Sequence, residues 1–297
     1  MPCRSLNFRI LEGMKKFYLQ EKLHLYILLT LVGCQSVKMT QQTIPLDRVV
    51  EETSGLASIE NDLLTFNDSG GKASLYRHGL NGKIQTEYPI EGAINRDWED
   101  IAQDDSLFYI ADTGNNYATR KDLTIYLVNK SFNLVDSINV SYAKQTSFKR
   151  KKKNKFDAEA LIAIDDSLVL FSKNRKSKKT QVYVFPKQGG KYVLNTLISY
   201  DVNALITGGD YNSLSNQVVL TGYDFDYKQY VFVLDDFDLN ALDQVKISRF
   251  QLPLENAQVE AVKILDNNTL WISSEGEGYN PPFLMQLNLK ILNKSTP

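Results

Sequence analysis

The chain has 297 residues, and its 34 basic and 35 acidic side chains are almost balanced. This balance argues against a nucleic-acid-binding domain, which is usually strongly basic. With only two cysteines and two histidines, neither a disulfide framework nor a histidine- and cysteine-rich zinc site is expected. The fold therefore has to be stabilised by its own apolar core.

The N-terminal segment has the layout of an export signal. Three lysines precede an apolar run from residue 23 to residue 32. This run is too short for a membrane span, which needs about 20 apolar residues. It ends in Leu31-Val32-Gly33-Cys34, which resembles the lipobox of bacterial lipoproteins. The resemblance implies that residues 1–33 are a signal peptide and that Cys34 is lipidated.

The residues that follow Cys34 predict a short tether. Residues 34–43 are polar and without pattern. Gln35-Ser36 lacks the aspartate that favours retention in the inner membrane, so we expect the protein in the bacterial cell envelope, anchored to the outer membrane by the lipid on Cys34. The alternative is an ordinary secretory signal, or a buried helix with an incidental cysteine. Residues 1–33 contain five basic and two acidic residues. Their removal leaves 29 basic and 33 acidic residues, so the remaining chain is mildly acidic.

A repeat begins after the tether and predicts the fold. Five units start at residues 54, 99, 159, 210 and 260, each with a short apolar strand, a turn, and a second apolar strand that ends in polar residues. The strands are rich in β-branched and aromatic residues and are bounded by Gly, Asn, Asp and Pro. Four-stranded units of about 40 to 50 residues are typical of a β-propeller. Residues 44–297 are therefore predicted to form an all-β propeller domain.

The ends of the repeat indicate the number of blades. The fifth unit runs out of chain after its third strand, and an unused strand at residues 44–50 stands before the first unit. If this N-terminal strand completes the last blade, the ring closes without an open edge. A sixth blade could lie in the 60-residue spacing between the second and third units. Residues 145–156 there are mostly basic and lack strand alternation, so five blades are favoured.

The first strand of each blade lines the central channel, so equivalent residues form a ring around the axis. These residues are Ser54, Glu99, Glu159, Asp210 and Glu260. Crowded carboxylates need a cation, a proton or hydrogen-bond donors to offset their repulsion. Oxygen ligands favour a hard ion such as Ca²⁺ or Mg²⁺. The alternative is that these acids cap turns or accept hydrogen bonds from backbone amides in the channel.

A second predicted ring lies where the second strands end, at one mouth of the channel. It contains Asp68, Asp112, Lys173, Tyr223 and Glu275, and asparagines lie on the loops around it. From this placement, the predicted ligand-binding residues are Asn67, Asp68, Asn115, Asn116, Lys173, Tyr223 and Glu275.

Several motifs resemble a bacterial propeller family similar to phytases and esterase-like phytases. They include Asn67-Asp68-Ser69-Gly70-Gly71, Asp97-Trp98-Glu99-Asp100-Ile101-Ala102 and Asp112-Thr113-Gly114-Asn115-Asn116, and the likeness extends over residues 50–290. The resemblance implies calcium at acidic channel positions and cleavage of phosphomonoesters. The residues here that could hold the metal are Glu99, Asp112, Glu159, Asp210 and Glu260.

A weaker resemblance, resting on Glu99, Asp112 and Glu159, is to calcium-activated nucleotidases, which are five-bladed propellers. The chain departs from the phytase pattern in its basic phosphate-binding set. Only Lys173 stands at a mouth position, with Arg96 and Arg120 on nearby loops.

Two functions from different classes follow from these patterns. The favoured one is a membrane-anchored propeller that binds a small ligand or an envelope protein at an acidic, calcium-loaded mouth. The other is a calcium-dependent phosphoesterase. A basic run at residues 148–155 is interpreted either as a solvated loop between blades or as a contact for anionic lipid.

Replacing the predicted lipidated cysteine tests the anchor. Cells that express the wild type should incorporate labelled palmitate into the protein, and the Cys34→Ala variant should not, because the thiol is the attachment site. Labelling would be followed on gels, with Cys3→Ala as the matched control. Equal labelling of wild type and Cys34→Ala would contradict the lipoprotein hypothesis.

Overall fold

The computed structural model of the chain describes residues 43–266 and 269–288. These residues form 21 strands and two short 3-10 turns, arranged in five sheets. The predicted signal peptide, Cys34 and nearly all of the tether lie outside the described residues. Among the described residues, no helix is long and apolar enough to cross a bilayer.

The strands are numbered in chain order, and each blade is described from its inner strand outward. The chain begins with β1 (Thr43–Pro45) and a 3-10 turn (Arg48–Val50). Blade 1 consists of β2 (Thr53–Ile59), β3 (Asp62–Asn67), β4 (Ser74–His78) and β5 (Ile84–Pro89). Blade 2 consists of β6 (Asp100–Gln103), β7 (Leu107–Asp112), β8 (Leu123–Asn129) and β9 (Leu134–Tyr142).

Blade 3 consists of β10 (Ala158–Ile164), β11 (Ser167–Ser172), β12 (Thr180–Pro186) and β14 (Ile198–Tyr200), with β13 (Gly190–Leu194) between the last two in the chain. Blade 4 consists of β15 (Leu205–Asn212), β16 (Gln217–Tyr223), β17 (Gln229–Asp235) and, after a 3-10 turn (Leu242–Gln244), β18 (Lys246–Gln251). Blade 5 consists of β19 (Val259–Ile264), β20 (Thr269–Ser274), β21 (Phe283–Asn288) and β1.

The five inner strands form a closed ring. Each of them contacts the inner strands of both neighbouring blades, in the order β2, β6, β10, β15, β19 and back to β2. The predicted all-β propeller of five four-stranded blades is therefore confirmed. Residues 145–156 contain no strand, so the spacing between the second and third units holds no sixth blade.

An N-terminal strand closes the ring, as predicted, but it spans Thr43–Pro45 and not residues 44–50, because Arg48–Val50 form a 3-10 turn. β1 pairs antiparallel with β21, with Ile44 opposite Leu284. The ladder ends where the Leu46 amide donates a hydrogen bond to the Pro282 carbonyl at 2.7 Å. Leu46 is buried against residues of both blade 5 and blade 1. The first and last parts of the described chain are thus held in one sheet.

Apolar clusters between adjacent blades form the core. In β11, Leu168 and Leu170 pack toward blade 2, whereas Val169 and Phe171 pack toward blade 4. Side chains alternate across a strand, so a strand buried on both faces has a continuous apolar run. This explains why the second strands of the repeat show no polar alternation. One such cluster fills each of the five contacts between blades.

Blade 2 has an additional outer strand that the sequence did not predict. β13 runs parallel to β9, with Gly190 opposite Ile138 and Leu194 opposite Tyr142. Gly189, just before this pairing begins, lies close to the Asp136 side chain. A Cβ at this position would be 2.0 Å from Asp136 Oδ2. Blade 3 thereby covers the outer edge of blade 2, which would otherwise present unpaired backbone groups.

Asp100 joins three inner strands inside the channel. Its fully buried carboxylate accepts hydrogen bonds from the backbone amides of Leu161 at 2.8 Å and Gly209 at 3.0 Å, as well as from Ile101. These amides belong to β10, β15 and β6. Asp100 was not among the predicted channel acids, and its hydrogen bonds to backbone amides connect three blades.

Deleting β1 tests the closure. A chain that begins at residue 47 loses the pairing with β21 and the burial of Leu46, compared with a chain that begins at residue 43. One buried leucine and a few backbone hydrogen bonds together contribute about 2 to 4 kcal/mol. We expect the free energy of unfolding in urea to fall by that amount. Equal stability of the two chains would mean that β1 does not hold the ring closed.

Candidate metal and ligand site at the channel mouth

Irregularities at the start of the inner strands direct acidic side chains into one mouth of the channel. The β10 ladder shifts at Glu159 and the β19 ladder shifts at Glu260, and Glu99 directly precedes β6. A bulge leaves its residue out of the ladder and re-aims the side chain, a feature common next to functional sites. All three residues are almost completely buried. The predicted equivalence of these three acids agrees with the register of the sheets.

The prediction that Asp210 is equivalent to them is wrong. The shift in β15 falls on Thr207, whose hydroxyl donates to the Val259 carbonyl at 2.7 Å. Asp210 lies three residues farther along the strand and forms an ion pair with Lys263 at 2.9 Å. It also accepts a hydrogen bond from the Ile264 amide at 2.8 Å. Thr207, three residues before Asp210, occupies the position in β15 that Glu159 and Glu260 occupy in β10 and β19.

Two groups of three carboxylates meet at the mouth and share Glu99. One oxygen from each of Asp68, Asp97 and Glu99 lies within 4.8 Å of the other two, and the same holds for Glu99, Asp157 and Glu159. Calcium binds oxygen at about 2.4 Å, so two ligands on opposite sides of one ion are about 4.8 Å apart. Both groups could therefore hold a metal ion.

The second group already has cations as partners. Lys173, itself buried, donates to Glu159, and Arg175 Nε donates to Asp157 at 2.9 Å. Arg175 Nη2 also lies 3.4 Å from Glu159. Burial alone would lower the pKa of Lys173, but Glu159 and Glu260 hold it well above its usual value. The negative charge of this group is therefore offset by protein side chains.

The first group, which we call the open triad (Asp68, Asp97 and Glu99), forms no ion pair with any of the described residues. Asp68 Oδ1 is buried and has no hydrogen-bond partner in residues 43–266 and 269–288. Burial, followed by repulsion from Asp97 and Glu260, raises the pKa of Asp68 to about 8. Burial and repulsion from Asp157 raise the pKa of Asp97 to about 6. Burial and repulsion from Glu159 raise the pKa of Glu99 well above its usual value.

A glycine makes the close approach of this triad possible. A Cβ on Gly114 would lie 2.0 Å from Glu99 Oε1 and 2.3 Å from Asp97 Oδ2. Any side chain at this position would displace the carboxylates. A glycine at position 114 of the Asp112-Thr113-Gly114 motif therefore leaves room for the Glu99 and Asp97 carboxylates at the mouth.

Four of the predicted site residues form hydrogen bonds with other parts of the protein. Asp112 accepts hydrogen bonds from Arg120 Nη1 and from the Asp97 amide, both at 2.9 Å. Asn67 and Asn115 use their side-chain amides on backbone groups of neighbouring loops. Asn116 accepts a hydrogen bond from Arg175. These four residues position the mouth and its loops.

Lys173, Tyr223 and Glu275 do lie together with Asp68 at the mouth. The Lys173 ammonium is 5.2 Å from the centre of the Tyr223 ring. Burial, with repulsion from Glu260 and Asp68, raises the pKa of Glu275 to about 9. Tyr223 stacks on Tyr227, with 6.3 Å between ring centres, and Tyr227 is largely exposed. An aromatic surface therefore continues outward from the acidic mouth.

Sequence reasoning missed Asp97, Asp157 and Arg175. The two aspartates stand two residues before Glu99 and Glu159, so an Asp-x-Glu pattern in two blades was the available signal. Arg175 offered no comparable signal, since its approach depends on the turn after β11.

No protein-family model matches the sequence, and no curated protein sequence matches it either. Among solved structures, the chain is similar to a PQQ-bound aldose sugar dehydrogenase from Streptomyces coelicolor, with a TM-score of 0.46 and 12% identity over 84% of this chain and 98% of that chain. It is also similar to a protein from Bacteroides fragilis described as exported, with a TM-score of 0.41 and 7% identity over 83% of this chain and 94% of that chain.

A third similar structure is an exo-β-1,3-galactanase from Phanerochaete chrysosporium with bound β-1,3-galactotriose. Its TM-score is 0.45 and its identity is 11%, over 84% of this chain and 64% of that chain. The resemblance to phytase-like propellers and the assignment as a lipoprotein remain hypotheses from the sequence motifs.

The raised pKa values predict how stability depends on pH without metal. The folded protein keeps a proton on Asp68 up to about pH 8, whereas the unfolded chain loses it near the ordinary value of 3.8. The folded state thus binds more protons in this window, so its stability falls as the pH rises. Urea unfolding in EDTA should show this decline from about pH 5 to about pH 8.

The Asp68→Asn variant should be more stable than wild type at the upper end of that range and should show a weaker pH dependence. Exposed Asp105 provides the control, because Asp105→Asn removes the same charge elsewhere. Identical pH profiles for wild type and Asp68→Asn would contradict a buried, repelled carboxyl group at position 68.

Proposed function

We propose that this protein is a lipid-anchored propeller of the bacterial cell envelope that binds its ligand through a calcium ion at the channel mouth. The observation that carries the proposal is the open triad. Glu99 is 4% exposed and belongs to both carboxylate groups, and the neighbouring Asp68 Oδ1 is buried without a hydrogen-bond partner within the described part of the chain. A buried carboxylate without donors is costly unless a cation or proton compensates it.

Calcium suits the open triad better than other metals. Its three ligand residues all provide oxygen, and no histidine or cysteine is among them. Calcium takes six to eight oxygen ligands in flexible geometry, whereas zinc and copper prefer nitrogen and sulfur. Three carboxylates leave coordination positions for oxygens of a ligand. The metal would therefore connect the protein to a ligand that offers hydroxyl or carboxylate groups.

The surroundings of the triad support a ligand on its outer side. Tyr223 and Tyr227 form a stacked pair next to Lys173, and Phe225 and Tyr227 are more than half exposed. Aromatic faces of this kind give a ligand apolar contact while a few polar groups fix its orientation. A small ligand or an exposed segment of an envelope protein would fit this arrangement.

We prefer binding over phosphate-ester hydrolysis because the basic residues near the mouth are already paired with carboxylates. Hydrolysis through calcium would call for cations free to stabilise phosphoryl oxygens. Lys173 and Arg175 are instead engaged by Glu159 and Asp157, and Arg120 by Asp112. The hydrolase remains as an outcome of the experiment below.

Calcium should raise the melting temperature of the purified protein. A concentration about 100-fold above Kd stabilises the folded state by about 2.7 kcal/mol, a rise of about 5 to 10 °C for a domain of this size. In Glu99→Gln the calcium shift should disappear, while the protein in EDTA should melt higher than wild type, because one repelling carboxylate is gone. Differential scanning calorimetry with calcium, magnesium and EDTA measures both effects.

The matched control is Glu91→Gln, an exposed glutamate that should keep the full calcium shift. No shift in wild type, or an undiminished shift in Glu99→Gln, would contradict a calcium site at the open triad. A generic phosphate ester is assayed in parallel. Calcium-dependent turnover that is lost in Glu99→Gln would replace the binding function with hydrolysis.

A further inference from the structure

A concave basic surface lies on the same face of the propeller as the acidic mouth. It is formed by the segment between β9 and β10, together with Ala118 from blade 2 and Lys176 from blade 3. The cavity has a volume of about 310 Å³. We call it the basic pocket and define it by the segment 144–156 with these two residues. It is distinct from the open triad and is not used by the proposed calcium site.

The charge of the basic pocket is of one sign. Seven of its twelve lining residues are lysine or arginine, and none is acidic. Within residues 43–266 and 269–288, none of these seven cations forms an ion pair, in contrast to Lys173 and Arg175 nearby. Like charges that surround one cavity repel one another, and a bound anion removes that repulsion.

The pocket is held in shape by a buried asparagine. Asn154 donates to the Asn116 carbonyl at 2.9 Å and accepts from the Phe156 amide at 2.7 Å. Its own carbonyl accepts from the Lys176 amide at 3.1 Å. These bonds tie the lysine-rich segment to blades 2 and 3. The cations are therefore presented from a fixed backbone, which lowers the entropy lost when a ligand binds.

An aromatic contact fixes one further cation. The Arg150 guanidinium carbon lies 3.4 Å from the centre of the Tyr117 ring, and the adjacent Lys151 amide donates to the Tyr117 carbonyl at 2.8 Å. A guanidinium stacked in this way keeps its donors free for an anion. The interpretation as a merely solvated loop does not account for this degree of positioning.

We propose that the basic pocket binds a compact ligand that carries two or more phosphate groups. A volume of about 310 Å³ is at the small end for ligand sites, so the negative charge has to be concentrated on few atoms. Phosphate meets this demand, and lysine-rich sites bind it as point charges. The overall near balance of charge and the acidic mouth beside the pocket argue against a nucleic acid.

The same phosphate chemistry has two sources, a free solute and a lipid headgroup. The probe for the first is tripolyphosphate, titrated into the purified protein by isothermal calorimetry. The probe for the second is a phosphatidylcholine vesicle with about one tenth cardiolipin, whose headgroup contains two phosphates, followed by co-sedimentation. Tripolyphosphate affinity should fall between about 50 and 300 mM sodium chloride, because exposed charges are screened.

The test variant is Lys149→Gln/Lys151→Gln/Lys153→Gln, which removes three exposed charges from the pocket. Tripolyphosphate affinity should fall at least about tenfold, since each lost cation weakens the attraction. The control is Lys83→Gln/Lys191→Gln/Lys228→Gln, with the same change in net charge at exposed positions elsewhere. The control should bind like wild type. Both variants should keep the calcium-dependent melting shift, which separates this proposal from the calcium site.

The outcomes distinguish the sources. Binding of tripolyphosphate alone, lost in the test variant, supports a soluble phosphorylated ligand. Binding of both probes with the same dependence on the test variant supports a phosphorylated headgroup at the membrane surface. Absence of tripolyphosphate binding, or equal loss of affinity in test and control variants, overturns the proposal.

Discussion

Apolar contact between neighbouring blades holds the five inner strands in a closed ring, and every other feature depends on that ring. The second strand of each blade is buried on both faces, so each sheet contributes to two clusters. A fully buried large apolar side chain contributes about 1.5 to 3 kcal/mol. The sum over many such residues offsets the cost of crowding carboxylates at the mouth, which is several kcal/mol for each uncompensated charge.

The two carboxylate groups at the mouth differ in how their negative charge is offset. Blade 3 provides both cations that neutralise Asp157 and Glu159, so that half is stable as it stands. Blades 1 and 2 provide Asp68, Asp97 and Glu99, which form no ion pair among the described residues, and burial together with repulsion from neighbouring carboxylates raises their pKa values. This difference makes the open triad the stronger candidate of the two groups for holding a metal ion.

Much of the fold was predictable because its signals are local. Apolar runs such as Leu168 to Phe171 identify second strands, and the unused N-terminal strand predicted the closing partner of β21. The parallel pairing of β13 was not predictable, since its partner β9 lies in another blade and no local pattern specifies it. Asp210 was misplaced because a ladder irregularity shifts the register, and a sequence repeat does not reveal where that irregularity falls.

Strand periodicity and composition are properties of short segments, so the amino-acid sequence is enough to predict a five-bladed all-β propeller with acids at the start of its inner strands. Which of these acids meet, and which are neutralised, depends on how the blades pack. Arg175 reaches Asp157 from the turn after β11, and Asp100 accepts hydrogen bonds from backbone amides of two other blades. Such choices depend on distances of a few ångströms between segments far apart in the chain, and no residue pattern encodes them.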